Sequence, residues 1–173
     1  MKKILLSISL ITMIFCFGSC SNVPEAPVIP TTDRPFSSTV KIDYKGSLYK
    51  GFLTFRNGSS GTLEITDPAN LKGLIFELSN GEPSAKYEGL DIPISTLDSQ
   101  TKTAAGMIFS AIASAGVADN VKINQSKNEF SVSDKIYSQE FDMIFDRKSG
   151  AIKSFSVPAQ QLLVTFTNFI FLG

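Results

Sequence analysis

The chain has 173 residues, 16 basic and 16 acidic, so its formal net charge is zero, and 43% of it is apolar. That length suits one domain with a substantial core, and the lack of any basic block excludes a phosphate-tracking nucleic-acid surface. There is no histidine and there are only two cysteines, which removes the commonest general base and metal ligand, Ser-His triads and zinc-thiolate clusters.

The chain opens with Met1-Lys2-Lys3, an apolar run from Ile4 to Phe17, then Gly18-Ser19-Cys20. This is a charged n-region, an h-region too short to span a bilayer, and small residues at a cleavage point. The segment resembles a bacterial lipoprotein signal. That resemblance implies removal of residues 1–19 and lipidation of Cys20, by palmitate or a similar chain, as the new N-terminus. It also implies an extracytoplasmic protein held by lipid at the cell membrane or the outer membrane. Two other readings stay open, a secretory signal with a chance cysteine and an uncleaved anchor helix. Cys16 would leave with the signal, so the mature chain could form no internal disulfide. Losing Lys2 and Lys3 from the 16 basic residues makes the mature net charge about −2. Residues 20–35 hold Pro24, Pro27, Pro30 and Pro35. Proline lacks an amide donor and favours extended chain, so this stretch reads as a semi-stiff tether. A single domain over 36–173 follows.

From Thr39 the pattern alternates. Val40, Ile42 and Tyr44 face one way, and Lys41, Asp43 and Lys45 the other, as in a half-buried strand. Gly46-Ser47 turns the chain into a strand over Leu48–Arg56. Asn57-Gly58-Ser59-Ser60-Gly61 signals a hairpin. Leu63 and Ile65 mark a third strand, Leu74, Phe76 and Leu78 a fourth, and Ala85 and Tyr87 a short fifth. The period then lengthens. Ala104, Ile108, Ala111, Ile112 and Ala115 recur at three and four, with Met107 beside them. Asp98 or Ser99 is a candidate cap and Gly116 a stop. No charge lies between Thr103 and Gly116, so this helix is buried on most sides, as a core element or as a lid over an apolar cavity. Alternation resumes at Val121 and Ile123, at Phe130 and Val132, and through Tyr137, Gln139, Phe141, Met143 and Phe145. Asp146 to Gly150 reads as a turn, followed by strands over Ile152–Val157 and Leu162–Leu172. The sum is about nine or ten strands in an antiparallel meander with one inserted helix, an α+β fold.

Carboxylates are the one catalytic option left. Asp142 and Asp146 lie four apart, and Glu140 is near. Alternation places Glu140 and Asp142 on the wet side of an amphipathic strand, and Asp is common at turns. No calcium-loop spacing occurs. The expectation is therefore no enzyme, no cofactor and no metal. Phe52, Ile75 and Ile144 fall on the face opposite the inward set, so both faces of the sheet are expected to be partly covered.

Three stretches carry a further resemblance: Gly61 to Pro68 followed by Leu71 to Leu78, Phe145 to Ile152, and Val164 to Phe171. Their strand-turn-strand order resembles the lipoprotein carrier and receptor family of the LolA/LolB-like fold. The resemblance implies a strongly curved half-barrel with the helix on its concave face. It further implies binding of lipid or an acyl chain in a groove lined by Leu53, Phe55, Leu63, Ile65, Leu74, Phe76, Phe141, Met143 and Phe166. Ala104 to Ala115 would be the lid, presenting Met107, Ile108 and Ile112. Two departures are evident: a proline tether stands where that family has an amphipathic helix, and no basic groove residue can be placed. The alternative is a structural or interaction lipoprotein with a filled core and no ligand. The expected partners are the membrane and an apolar ligand, with no nucleic acid, and the chain is expected to be a monomer.

Overall fold

A computed structural model describes residues 34–97, 99–116, 121–124 and 128–173. The expected signal, the expected lipidation of Cys20, the expected tether up to residue 33 and the candidate cap Asp98 lie outside the described residues. The elements are β1 (Phe36–Tyr44), β2 (Ser47–Asn57), β3 (Ser60–Asp67), β4 (Leu74–Ser79), β5 (Glu82–Tyr87), β6 (Leu90–Ile92), α1 (Ser99–Ala115), β7 (Val121–Asn124), β8 (Glu129–Ile136), β9 (Gln139–Asp146), β10 (Ile152–Val157) and β11 (Leu162–Phe171). All strands join one sheet in the order β6-β5-β4-β3-β2-β1-β11-β10-β9-β8-β7. The sheet is antiparallel, curved and unclosed, which is a half-barrel.

Short turns dictate most of this order, because a two-residue loop leaves the next strand nowhere to pair but beside the last. Lys45-Gly46, Asn80-Gly81, Glu88-Gly89 and Tyr137-Ser138 each carry two consecutive positive φ values. That is the backbone of a type I′ turn, whose twist matches that of the flanking strands. The strands expected from alternation are all present. The addition is β6, three residues long, too short for a period of two to register. The sequence pattern places Tyr137 among the inward residues of a strand, and here the structure differs. Ile136 pairs with Gln139, so Tyr137 sits in the turn itself at φ 49°. No glycine or asparagine marks that turn, which is why alternation reads through it.

The sheet makes two outward runs from its centre. β1 pairs with β11, and the chain walks from β1 to one edge at β6 and from β11 to the other edge at β7. The chain must therefore pass from edge to edge between β6 and β7. It does so through α1, whose Ala104, Ile108, Ala111 and Ile112 are buried in one cluster with the inward residues of the sheet. Curvature comes from register shifts at Ser37/Thr39, Lys50/Gly51, Phe55/Asn57 and Ile152/Ser154, since a bulge bends the bulged strand. Gly51 is required at its bulge, because a β-carbon there would lie 2.6 Å from the Glu64 carbonyl oxygen. Ser38, fully buried on the concave side, is satisfied by donating its hydroxyl to the Thr167 carbonyl at 2.8 Å.

Aromatic pairs tie the strands. Phe130 and Phe145, cross-strand partners, stack at 4.8 Å. Phe36 stacks on Phe169 at 4.6 Å and on Phe55 at 5.7 Å. Each such ring contributes on the order of 2–3 kcal/mol by leaving water. On the convex face, Phe52 is 47% exposed and Ile75 and Ile144 are half-buried. That face carries apolar side chains that are only partly buried.

Candidate functional site: an apolar cleft beside the helix

Alternation along each strand sends the groove residues of the sequence reading inward, and all of them are buried. Leu53, Phe55, Leu63, Ile65, Leu74, Phe76, Phe141, Met143 and Phe166 lie in one cluster with Met107, Ile108 and Ile112 of α1. The fit between helix and sheet is close. A space of about 10 Å³ lies among Ile42, Tyr49, Leu63, Ile65, Phe76, Ala104 and Ala105. That is room for about one water molecule. Gly61 allows part of this closeness, since a β-carbon there would meet the Phe109 ring at 3.1 Å.

The larger space lies on the flank of the helix. A cleft of about 590 Å³ runs between α1 and the β4–β5 hairpin. Phe76, Leu78 and Pro83 line its sheet side, and Ala105, Phe109 and Ala113 its helix side. Gly58 and Gly81, in two turns, line it as well, and Tyr137 reaches it from the other half of the sheet. Of the expected groove residues only Phe76 touches it. The volume falls in the range of small-molecule sites, which are mostly apolar with a few fixed polar groups.

Those polar groups are hydroxyls. Ser110 Oγ and Tyr137 Oη lie 3.0 Å apart, joining α1 to the β8–β9 turn. Thr103 and Ser84 also line the cleft. Gly106 stands opposite Tyr137, and a β-carbon there would be 3.9 Å from the phenol oxygen. A bulky residue at φ 49° is a strained choice for a turn. The tyrosine there reaches the helix through its hydroxyl, 3.0 Å from Ser110 Oγ. Glu77 also borders the cleft, but its carboxylate is bound by Lys86 Nζ at 2.8 Å, and that hydrogen bond raises the lysine's pKa. Alternation places Glu77 on the face opposite Phe76, so the cleft wall keeps its apolar character.

The two acids four apart in the sequence are each engaged locally. Asp142 accepts from the Ser133 hydroxyl on the exposed face. Asp146 accepts from the Ser149 amide at 2.8 Å and from its hydroxyl at 2.9 Å, which holds the carboxyl below its ordinary pKa. Among the described residues no group of three or more metal-ligating side chains gathers, and no helix is long and apolar enough to cross a membrane.

The chain is an open, curved antiparallel sheet with a single helix in its hollow, the α+β half-barrel architecture expected from the sequence. Among solved structures, the chain is similar to an uncharacterized conserved protein from Thermus thermophilus, at 8% identity over 82% of this chain and 80% of that one, with a TM-score of 0.47. A LolA superfamily protein from Nitrosomonas europaea is similar at 9% identity over 84% and 89%, with a TM-score of 0.41. A DUF1329 family protein from Desulfovibrio piger is similar at 10% identity over 83% and 87%, with a TM-score of 0.29. No family model matches the chain, and no curated protein matches it.

Proposed function

We propose that this chain is a membrane-anchored, extracytoplasmic lipoprotein that binds an apolar ligand, a lipid or acyl chain, without catalysis. The observation that carries the reading is the 590 Å³ cleft between α1 and the β4–β5 hairpin, with apolar walls and hydroxyls near Tyr137. An acyl chain would lie along Phe76, Leu78 and Phe109, with its polar end at the Ser110–Tyr137 pair. The ligand site is thus the flank of the helix, while the residues beneath the helix act as the core that holds it. Anchoring through Cys20 is the sequence half of the reading. One lipid chain alone gives only weak attachment, so a stable anchor requires a second signal, another chain or a basic patch.

The test uses protein made without residues 1–19, probed by native mass spectrometry, lipid extraction and titration with a fluorescent fatty acid. The expected outcome is bound lipid or saturable binding. Ala113→Trp, which fills the cleft from a half-buried position, should weaken binding at least about tenfold while leaving the fold intact. A reproducibly empty protein that takes up no fatty acid would overturn the proposal. The close packing where Ala104 and Ala105 of α1 meet Ile42, Leu63 and Ile65, around a space of about 10 Å³, favours a second reading, an interaction lipoprotein with a filled core. The same titration separates the two.

A further inference from the structure

Several features meet at one end of the half-barrel. The pairings Phe36↔Phe55 and Phe36↔Phe171 bring together the start of β1, the end of β2 and the end of β11. β11 overhangs here, since its pairs with β10 run no further than Thr165. Ile170 and Leu172 on the overhang are 59% and 39% exposed. The Arg34 guanidinium lies 4.2 Å from the centre of the Phe171 ring. Arg56, next to the β2–β3 turn, and Lys148, in the β9–β10 turn, are exposed at the same end. Among the described acids there, Asp146 is engaged by its own turn and Glu129 by Lys153 at 2.6 Å, while Glu82 is exposed. The described chain enters β1 at this end. Gly58 and Gly81 of the cleft belong to turns at this end too.

We propose that this end is a membrane-docking face that seats on an anionic bilayer, with Ile170 and Leu172 at headgroup depth and Arg34, Arg56 and Lys148 around them. The inference rests on the anchored reading above. Three physical terms act in one direction. Exposed aliphatic side chains gain by leaving water at the headgroup boundary. Each cation close to an anionic surface improves binding on the order of fivefold. The chain from Cys20 to residue 33 reaches at most about 50 Å when fully extended, so an anchor at Cys20 keeps this end near the lipid at high effective concentration. Docked in this way, the turns that border the cleft face the bilayer, the source of the proposed ligand.

The chain contains no tryptophan, so one introduced tryptophan is an unambiguous reporter. Full-length lipidated chain carrying Ile170→Trp is compared with Leu90→Trp, which is 72% exposed at the opposite end. Each is placed on vesicles of phosphatidylcholine and phosphatidylglycerol, with and without brominated acyl chains. The expected result is blue-shifted, bromine-quenched emission for Ile170→Trp and neither change for Leu90→Trp. Adding Arg34→Glu and Lys148→Glu should lower the docked-to-undocked ratio on the order of 20-fold or more. A chain that floats with vesicles while the Ile170→Trp signal stays unquenched overturns the docking face and leaves the anchor standing. A chain that does not associate with vesicles overturns both. Equal quenching at the two positions overturns docking by this end. A blue shift that grows with protein concentration in the absence of vesicles overturns it in favour of a second copy of the chain.

Discussion

Gly51 shows how a single residue sets the bend of the sheet. It faces the concave side in β2, at a register shift, with the Glu64 carbonyl 2.6 Å from where a β-carbon would stand. A backbone oxygen cannot swing aside as a side chain can. Gly51→Ala should therefore destabilise the domain by about 1–3 kcal/mol, through overpacking and forced backbone movement. Chemical denaturation would measure it, and an unchanged midpoint would show that the strand relaxes freely. Asp146 sets a different local feature. The Ser149 amide and hydroxyl, with the Lys148 amide, bind its charged form and lower its pKa. A depressed folded pKa means a contribution that is complete above the ordinary aspartate value near 3.9. That contribution disappears as pH falls through the lower, folded value. The stability gap between wild type and Asp146→Ala should be widest above about pH 4 and close in stronger acid. Urea midpoints across that range would check it, and a gap independent of pH would refute the turn-capping role.

At the scale of elements, α1 is held from two sides. Beneath it, Ile108 is fully buried against the sheet. Ile108→Glu places a carboxyl in that core with no partner, and the expected loss is several kcal/mol. Ile108→Ala should cost about 2–5 kcal/mol, through lost burial and the cavity left behind. Above it, Tyr137 and Ser110 form the clasp between the helix and the β8–β9 turn. The pair is solvent-accessible, so its coupling should sit near the lower end of the usual hydrogen-bond range, about 0.5 kcal/mol. A double-mutant cycle with Tyr137→Phe and Ser110→Ala measures it. Tyr137 also shows why this clasp is hard to read from sequence. Its turn has type I′ geometry but lacks the asparagine and glycine that normally announce one. In the one-dimensional pattern it merges with the alternating strand that follows. The helix itself was plain, because its three-and-four spacing and uncharged stretch from Thr103 to Gly116 have few other interpretations.

Over the whole molecule, the sheet is two meanders joined at their first and last strands, with α1 carrying the chain from edge to edge. This arrangement makes the domain depend on contacts distant in sequence. The Ser38 hydroxyl bonds a carbonyl 129 residues away. Circular permutation that joins the two ends and opens the β6–α1 connection should retain the β1–β11 seam. Circular dichroism and a thermal melt would test that, and loss of cooperative unfolding would count against the seam as the organising contact. By itself the sequence determined the strands, the hairpins marked by glycine, the uncharged helix and the inward identity of residues such as Leu53, Phe141 and Met143. These follow from periods of two and 3.6 and from backbone preferences, which act within a few residues. Only the tertiary structure decided that β1 and β11 meet, that α1 packs in the hollow, and that an open cleft lies on the helix flank along Leu78, Phe109 and Ala113. Alternation separates buried from exposed positions. It cannot say whether a buried position faces a neighbouring side chain or an open space, because that depends on how closely the packed helix follows the curve of the sheet.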